Sequence, residues 1–557
     1  MSSSQVIRVA RRAAVLARIC ALIHGRWARA SAGSAGPPAG TRPGAGGPPR
    51  ARDDGSGERS PGAMEAPAGL GRVWAALVAL PREHALFCSM LLVAVIVRVI
   101  AVLGYPPALW FEDSLFYVRA ALRPLPDRVR PVGYSFFLAS LAHFHSVWLV
   151  TAMQAVMGLA MGIAVYVLLR RHGVAGWVAS LAAAPVLLSA YELQMEHFVL
   201  SDTLFGLLVT AAVVMVLWRP VPPVWVCALA GLVLGWAVLD REQGILLAIP
   251  FGLCLCAQLA RRVSVPRLLA GVTAMWVTLA VPVVAYGWWF DQVYGSYGLT
   301  SSTGVFLYSR VSTFAECSVM KPPADERWLC IPAPPAKRSD PNFYAWYATS
   351  PINVAPPGGS EVDARVNSLA TNFALRAIEA QPAAYLKAVW LSMTTNFEPQ
   401  LTDSAAWFSQ RNYEFPAAAP PGSLRTFAAA NRELPYYRDC YAYNGDRDPS
   451  TQMVRPFAGW IRAYQRFIVL PGPLLALIVL AGLAGIALAW RSLGGPALLP
   501  WLTGAVLIVT PAATAGYGAR YLLASIPAFC IAGAIGVKEI SDWLAGPAGA
   551  DDAIDRS

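Results

Sequence analysis

Apolar residues in this chain do not alternate with polar ones. They come in long runs, separated by short stretches that are polar or basic. The runs fall at 85–104, 147–169, 173–190, 198–217, 224–240, 245–260, 268–290, 467–489, 497–515 and 522–541. Each is close to the ~20 residues that carry a helix across the hydrocarbon of a bilayer, allowing for tilt. Lipid-facing strands would instead alternate in segments of about ten residues. The pattern therefore predicts an all-α polytopic membrane protein with about ten transmembrane helices. Two shorter apolar stretches, Val132–Phe144 and Ala384–Phe397, read as interfacial helices; the second carries Lys387, Thr394, Thr395 and Asn396. No internal repeat is visible, so an inverted-repeat transporter architecture gains no support.

Composition agrees with this reading. The chain has 557 residues, 56% hydrophobic and 14% charged, with a mean hydropathy of +0.47. Soluble domains carry about 25% charged residues. The net charge of +11 is uneven: residues 1–84 hold 12 Arg against 5 acidic residues, a surplus of +7. The remainder is near balance, which gives no reason to expect a nucleic-acid partner. The tail is rich in Arg, Ala, Gly and Pro, with low complexity from Ser31 to Gly62, and reads as disordered. Val6 to Arg29 has the amphipathic, Arg-rich character of a transit peptide, although a start of translation near Met64 is the simpler expectation. The predicted organisation is a tail over 1–84, a transmembrane module over 85–290, a long polar segment over 291–466, C-terminal helices over 467–541 and a cytoplasmic tail over 542–557. Cys88, Cys227, Cys254, Cys256 and Cys530 lie in apolar runs, Cys20 lies in the tail, and no pair has metal-ligand spacing. Cys317 and Cys330 are expected to pair if the long segment, which also holds Cys440, faces an oxidising compartment.

Loop charge sets the orientation. With a cytoplasmic N-terminus, ten Lys and Arg fall inside and six outside, and four of the six sit in one loop: Arg119, Arg123, Arg128 and Arg130. Four arginines against the general rule suggest an anion site. The same topology gathers the acids on the outer face. They are Glu112-Asp113 after the first span, Glu192, Glu196, His197 and Asp202 before the fourth, and Asp240-Arg241-Glu242-Gln243 after the fifth. Tyr517, Arg520 and Tyr521 precede the last span, and the long segment Asp291–Arg466 is placed on that face too.

A carboxylate at a membrane interface is partly desolvated and gains basicity, so Glu112 or Asp113 could take a proton from an acceptor hydroxyl; the alternative is a solvated loop acid. Arg98 lies about two turns inside the first span, either functional or snorkelling outward. Glu192 and Glu196 share a face if helical, Ser201-Asp202 suits a helix N-cap, and His197 reads as a polar loop histidine. Arg241 and Arg520, at the outer ends of spans, could hold a phosphate or anchor the interface. Tyr517, Tyr521, Trp288 and Trp289 suit an aromatic belt.

These residues also resemble a known set. Arg98 followed by Glu112-Asp113-Ser-Leu-Phe-Tyr117 looks like the start of GT-C superfamily glycosyltransferases, and Arg130-Pro131-Val-Gly-Tyr134 resembles that family's juxtamembrane segment. Glu196-His-Phe-Val-Leu-Ser-Asp202 is similar to its acidic element, Asp240-Arg241-Glu-Gln-Gly244 to its arginine-glycine turn, and Gly518-Ala-Arg520-Tyr521 to its late arginine-tyrosine motif. The resemblance covers about 85–290 and 467–541, and the long polar segment matches nothing in it. It implies transfer of a sugar from a polyprenyl-phosphate donor to a polysaccharide, lipid or protein acceptor, with inversion, on the outer side of the plasma (inner) membrane. It implies Asp113 as base, by its four-residue spacing to Tyr117, with Glu112 beside it. It implies Arg98, Arg128, Arg130, Arg241 and Arg520 at the donor phosphate, and Tyr117, Tyr134, Glu196, His197, Asp202 and Tyr521 at the substrates. The family's usual acid pair runs in the opposite order to Glu112-Asp113, which leaves either acid open as the base. Some members use a divalent metal (Mg or Mn). Glu112, Asp113 and Glu196 are the oxygen ligands on hand for one, although no set here demands it.

Two other classes compete. A transporter or lipid flippase should place charges at mid-membrane depth in several spans, and here Arg98 stands nearly alone. A non-catalytic assembly protein should tolerate Asp113→Asn.

Overall fold

The computed structural model describes residues 82–123, 125–260, 262–347, 349–354, 363–399, 413–418 and 451–545. The expectations for 1–81 and 546–557, and for Cys20 and Cys440, lie outside these residues. The chain divides between Cys88 and Ser89, and the unit from Ser89 onward holds the helical bundle.

Among the described residues the protein is helical, with no strand longer than a single bridge between Leu109 and Phe198. The N-terminal part runs α1 (Arg82–Gly104), α2 (Glu112–Leu122), α3 (Gly133–Ala142), α4 (Val147–Arg171), α5 (Gly176–Leu188), α6 (Ala190–His197), α7 (Asp202–Leu217) and α8 (Val224–Asp240). A 3₁₀ turn (Glu242–Leu247) then leads into α9 (Ala248–Ala260), followed by α10 (Val265–Tyr294). The long segment holds α11 (Thr303–Val311), α12 (Ala364–Ala380), α13 (Pro382–Thr394) and α14 (Phe457–Gln465) among shorter turns. The chain returns to the bundle with α15 (Gly472–Leu488), α16 (Leu498–Thr514), α17 (Ala519–Leu523) and α18 (Ile526–Ala545).

A helix occupies each of the ten predicted runs. Among the described residues, five helices are suited by length and composition to crossing a membrane, or six if the bent pair α5–α6 is one span; α7, α8 and α15 are apolar but shorter. Lipid provides no hydrophobic drive between helices, so small residues let backbones meet. At the crossing of α15 and α18, a Cβ on Gly485 would lie 2.4 Å from the Cα of Gly536.

The two interfacial predictions correspond to α3 and α13. No residue of α13 is fully buried, and Leu386 and Trp390 face outward from it. The long segment is more than loop. Val305, Tyr308 and Val311 of α11 pack on Val366, Ala370, Phe373 and Ala377 of α12 in a second core. Asp363 caps α12, and the Asn367 side chain accepts from the Gly304 backbone N–H at 2.7 Å. The expected disulfide between Cys317 and Cys330 is present and borders this core.

One stretch departs from expectation. Glu192 to His197 read as a polar loop but form α6, bent 44° from α5. Its polarity is met from inside the bundle: Gln154 on α4 donates to the carbonyls of Glu196 and Phe198 at 2.8 and 2.7 Å. Ser201 does not cap α7 with its side chain, because its hydroxyl is shared with Tyr117 at 2.9 Å.

Candidate active site

The first turn of α2 carries Glu112 and Asp113 at its positive dipole end. Ser114 fixes that turn by accepting from the Phe111 N–H at 3.0 Å. The bridge of Leu109 to Phe198, with Leu109 N–H donating to the His197 carbonyl at 2.9 Å, ties this loop to the α6–α7 turn.

Asp113 is 5% exposed, and each of its oxygens meets a different arginine. Arg130 Nη2 reaches Oδ1 at 2.8 Å, and Arg520 Nη2 reaches Oδ2 at 2.7 Å. Residues more than four hundred positions apart in sequence are therefore in contact, as the shared-face expectation requires. Arg520 lies 5.4 Å from the ring of Tyr521, and Arg241 lies 5.3 Å from the same ring. Arg241 in turn pairs with Asp202. Tyr117, bonded to Ser201, packs edge-on against Tyr134 at 5.0 Å. Segments from five places in the chain thus form one cluster: Asp113, Tyr117, Arg130, Tyr134, Asp202, Arg241, Arg520 and Tyr521.

The two acids differ. Burial alone would raise the Asp113 pKa, but the guanidinium groups of Arg130 and Arg520 hold its carboxyl well below the usual carboxylate range. Glu112 is exposed at the cluster's edge, and its pKa is raised, chiefly by partial desolvation and also by the neighbouring Asp113, against the pull of Arg520. Burial pushes the Tyr117 phenol up to about 12, so it acts as a neutral hydroxyl. Three arginines face two buried carboxylates here, and Arg130 Nε and Asp202 Oδ2 are buried without a hydrogen-bond partner. A guanidinium edge left open in this way suits a tetrahedral oxyanion such as phosphate.

Other predicted residues stand apart. The sequence resemblance puts Arg98 at the donor phosphate. Instead it holds Glu196 bidentately at 2.7 and 2.5 Å, and donates to the carbonyls of Leu187 and Ala94 at 2.7 and 3.2 Å. With 4% exposure and each of its nitrogens donating within the bundle, it is committed to structure, and Glu196 is committed with it. A Cβ at Gly158 would lie 1.7 Å from Glu196 Oε1, so the pair fits only against glycine. His197 is also a correction: it is 2% exposed and its Nε2 meets the Tyr105 carbonyl at 2.6 Å. Arg128 lies over the Tyr294 ring at 4.5 Å, whereas the ion pairs of Asp113 are made by Arg130 and Arg520. The Tyr134 hydroxyl donates to Gln154 Oε1 at 2.5 Å, and its ring packs on Tyr117.

The oxygens suggested for a divalent metal do not converge. Asp113 is held by two arginines and Glu196 by Arg98, and among the described residues no group of three His, Cys, Asp or Glu could hold a metal ion. These residues do not fit such an ion.

Sequence reasoning missed the neighbours from the long segment. Phe306 and Trp346 lie 5.5 and 6.0 Å from the Arg130 guanidinium, and Tyr413 lies 5.7 Å ring to ring from Phe111. No local pattern marks them, since each is one aromatic residue among many in that segment.

No protein-family model matches this chain, and no curated protein matches it. Among solved structures, it is similar to the protein O-mannosyltransferase Pmt1-Pmt2 complex of S. cerevisiae bound to the sugar donor, at 19% identity over 43% of this chain and 38% of that one, TM-score 0.33. It is also similar to the archaeal oligosaccharyltransferase AglB from Archaeoglobus fulgidus, in complex with an inhibitory peptide and a dolichol-phosphate, at 13% identity over 84% of this chain and 52% of that one, TM-score 0.39. The chain thus spans about two fifths of the first and about half of the second.

Proposed function

We propose that this chain is an integral-membrane glycosyltransferase. It transfers a sugar from a polyprenyl-phosphate donor to a hydroxyl acceptor on the extracytoplasmic face of the plasma membrane, with inversion, in the synthesis of cell-envelope glycan or glycoconjugate. The observation that carries the reading is the pairing of Asp113 with both Arg130 and Arg520, beside Arg241 and Asp202, at one end of a bundle of apolar helices. A polyprenyl tail dissolves in lipid, so its phosphate reaches the protein where such a bundle meets water. The acceptor is a polysaccharide, a lipid or a protein.

In this mechanism the acceptor hydroxyl gives its proton to Glu112 as its oxygen attacks the anomeric carbon. The bond from that carbon to the phosphate oxygen breaks, and the oxygen keeps the electron pair. The negative charge that develops on the leaving phosphate is met by Arg130, Arg241 and Arg520. Sequence spacing favours Asp113 as base. The environment favours Glu112, because a base is effective when its pKa is lifted toward the working pH, and Glu112 alone of the two is lifted. Asp113 and Asp202 instead keep the arginines aligned until phosphate displaces them.

The test is mass spectrometry of the lipid that co-purifies with the protein, combined with release of radiolabelled sugar from that lipid in nanodiscs. The expected finding is a polyprenyl-phosphate sugar, with sugar release lost in Arg520→Gln. Failure to retain or consume any such lipid rejects the reading.

A further inference from the structure

Three buried polar atoms face one small cavity behind the cluster, and none has a hydrogen-bond partner: Glu192 Oε1, Asp202 Oδ2 and Thr203 Oγ1. Their residues are 5%, 7% and 4% exposed. The rest of the wall is apolar, including Met161, Met195, Leu523 and Pro527. Three unpartnered oxygens in an apolar bundle are costly unless something binds them.

Charge narrows what that is. Glu196 is held by Arg98, and the other oxygen of Asp202 is held by Arg241. Among the described residues no Lys, Arg or His forms an ion pair with Glu192. Ionised, Glu192 would add one negative charge with no cation of its own, and it lines the cavity with two further oxygens. Buried charges in proteins are paired or coordinate ions. A single excess charge, hard oxygen donors and a cavity with room for little more than one ion or water match a monovalent cation; a divalent ion calls for more charge and more ligands.

We propose that Glu192, Asp202 and Thr203 bind one monovalent cation of the sodium type, which holds Asp202 and, through it, Arg241. The site spans the α6–α7 turn: Glu192 comes from α6, while Asp202 and Thr203 open α7. It does not depend on the reaction proposed above.

The test uses the full-length protein in nanodiscs, with sodium chloride exchanged for choline chloride at constant ionic strength. Thermal unfolding is followed by tryptophan fluorescence. The expected result is a rise in Tm that saturates with sodium and is absent in choline. Glu192→Gln should abolish the rise, and Thr203→Val, which keeps shape but removes an oxygen, should weaken the apparent sodium affinity about tenfold. If Glu192→Gln does not yield folded protein, Thr203→Val decides alone. Equal Tm in sodium and choline would overturn the proposal, showing that water or a proton satisfies these oxygens. So would a sodium effect that persists unchanged in Thr203→Val, or stabilisation by magnesium or manganese alone.

Discussion

Two arginine–carboxylate assemblies lie near each other in this protein and behave oppositely. Inside the bundle, Arg98 and Glu196 close on each other: both carboxylate oxygens and each guanidinium nitrogen are engaged, and Gly158 fills the remaining side. At the bundle's end, Arg130 and Arg520 divide one carboxylate, Arg241 takes another, and buried polar atoms remain unpartnered. The residue types are the same. What differs is saturation: the closed pair fixes the packing of α1, α4 and α6, while the open cluster holds charge ready for exchange with a ligand. Burial makes either arrangement expensive to break, but only the second keeps a buried guanidinium nitrogen, Arg130 Nε, open to an incoming anion.

Three substitutions break this comparison in decreasing order of effect. Glu112→Gln removes the one acid of the pair that is both exposed and raised in pKa, so sugar transfer should fall by about 10²–10⁴, with little change in Tm. A rate within a factor of about three of the native would remove Glu112 from the role of base. Arg98→Met acts in the opposite sense. It strands Glu196 as an uncompensated buried charge and should destabilise the fold by about 3–5 kcal/mol, read as a lower apparent Tm and poor recovery of monodisperse protein. If this variant lost donor binding at native Tm, the separation of the two assemblies would fail.

The third concerns pH. A carboxylate base works only when ionised, so activity should fall as pH drops through the raised pKa of Glu112. Asp113 contributes to that elevation, after partial desolvation. Asp113→Asn removes a negative neighbour and leaves Arg520 in place, so the acidic limb of whatever activity remains should move to lower pH. A limb that moves to higher pH would show that Glu112 does not control the profile.

Much of this arrangement is visible in the sequence, and the invisible part has a common cause. Apolar runs locate the helices because the bilayer dictates their length, and the acidic and basic motifs mark which loops carry chemistry. The Arg98–Glu196 pair is not legible: 98 residues separate the partners, and each taken alone looks like an interface residue. The same holds for α6, whose octapeptide Ala190–His197 is too polar to predict as buried until Gln154, Arg98 and Tyr105 are brought to it by folding. His197 passes for a loop residue for that reason. Tertiary partners, and not local propensity, settle the fate of polar residues inside an apolar bundle.

The smallest expected effect tests how far the open cluster extends into the long segment. Arg130 lies between Asp113 and two aromatic rings, Phe306 at 5.5 Å and Trp346 at 6.0 Å. A ring at that distance offers a cation about 0.5–1 kcal/mol where solvent still reaches. Trp346→Ala should therefore weaken donor binding about two- to fivefold while leaving turnover at saturating donor unchanged, because the base and the other two arginines stay in place. Trp346→Phe should recover most of the loss. The control is Trp390→Ala on α13, whose ring is 64% exposed on an outward-facing helix, and which should leave donor affinity as it was. If the two tryptophan variants behave alike, Arg130 draws nothing specific from the rings above it. The long segment then acts only as a cover, and the charged end of the bundle sets donor affinity by itself.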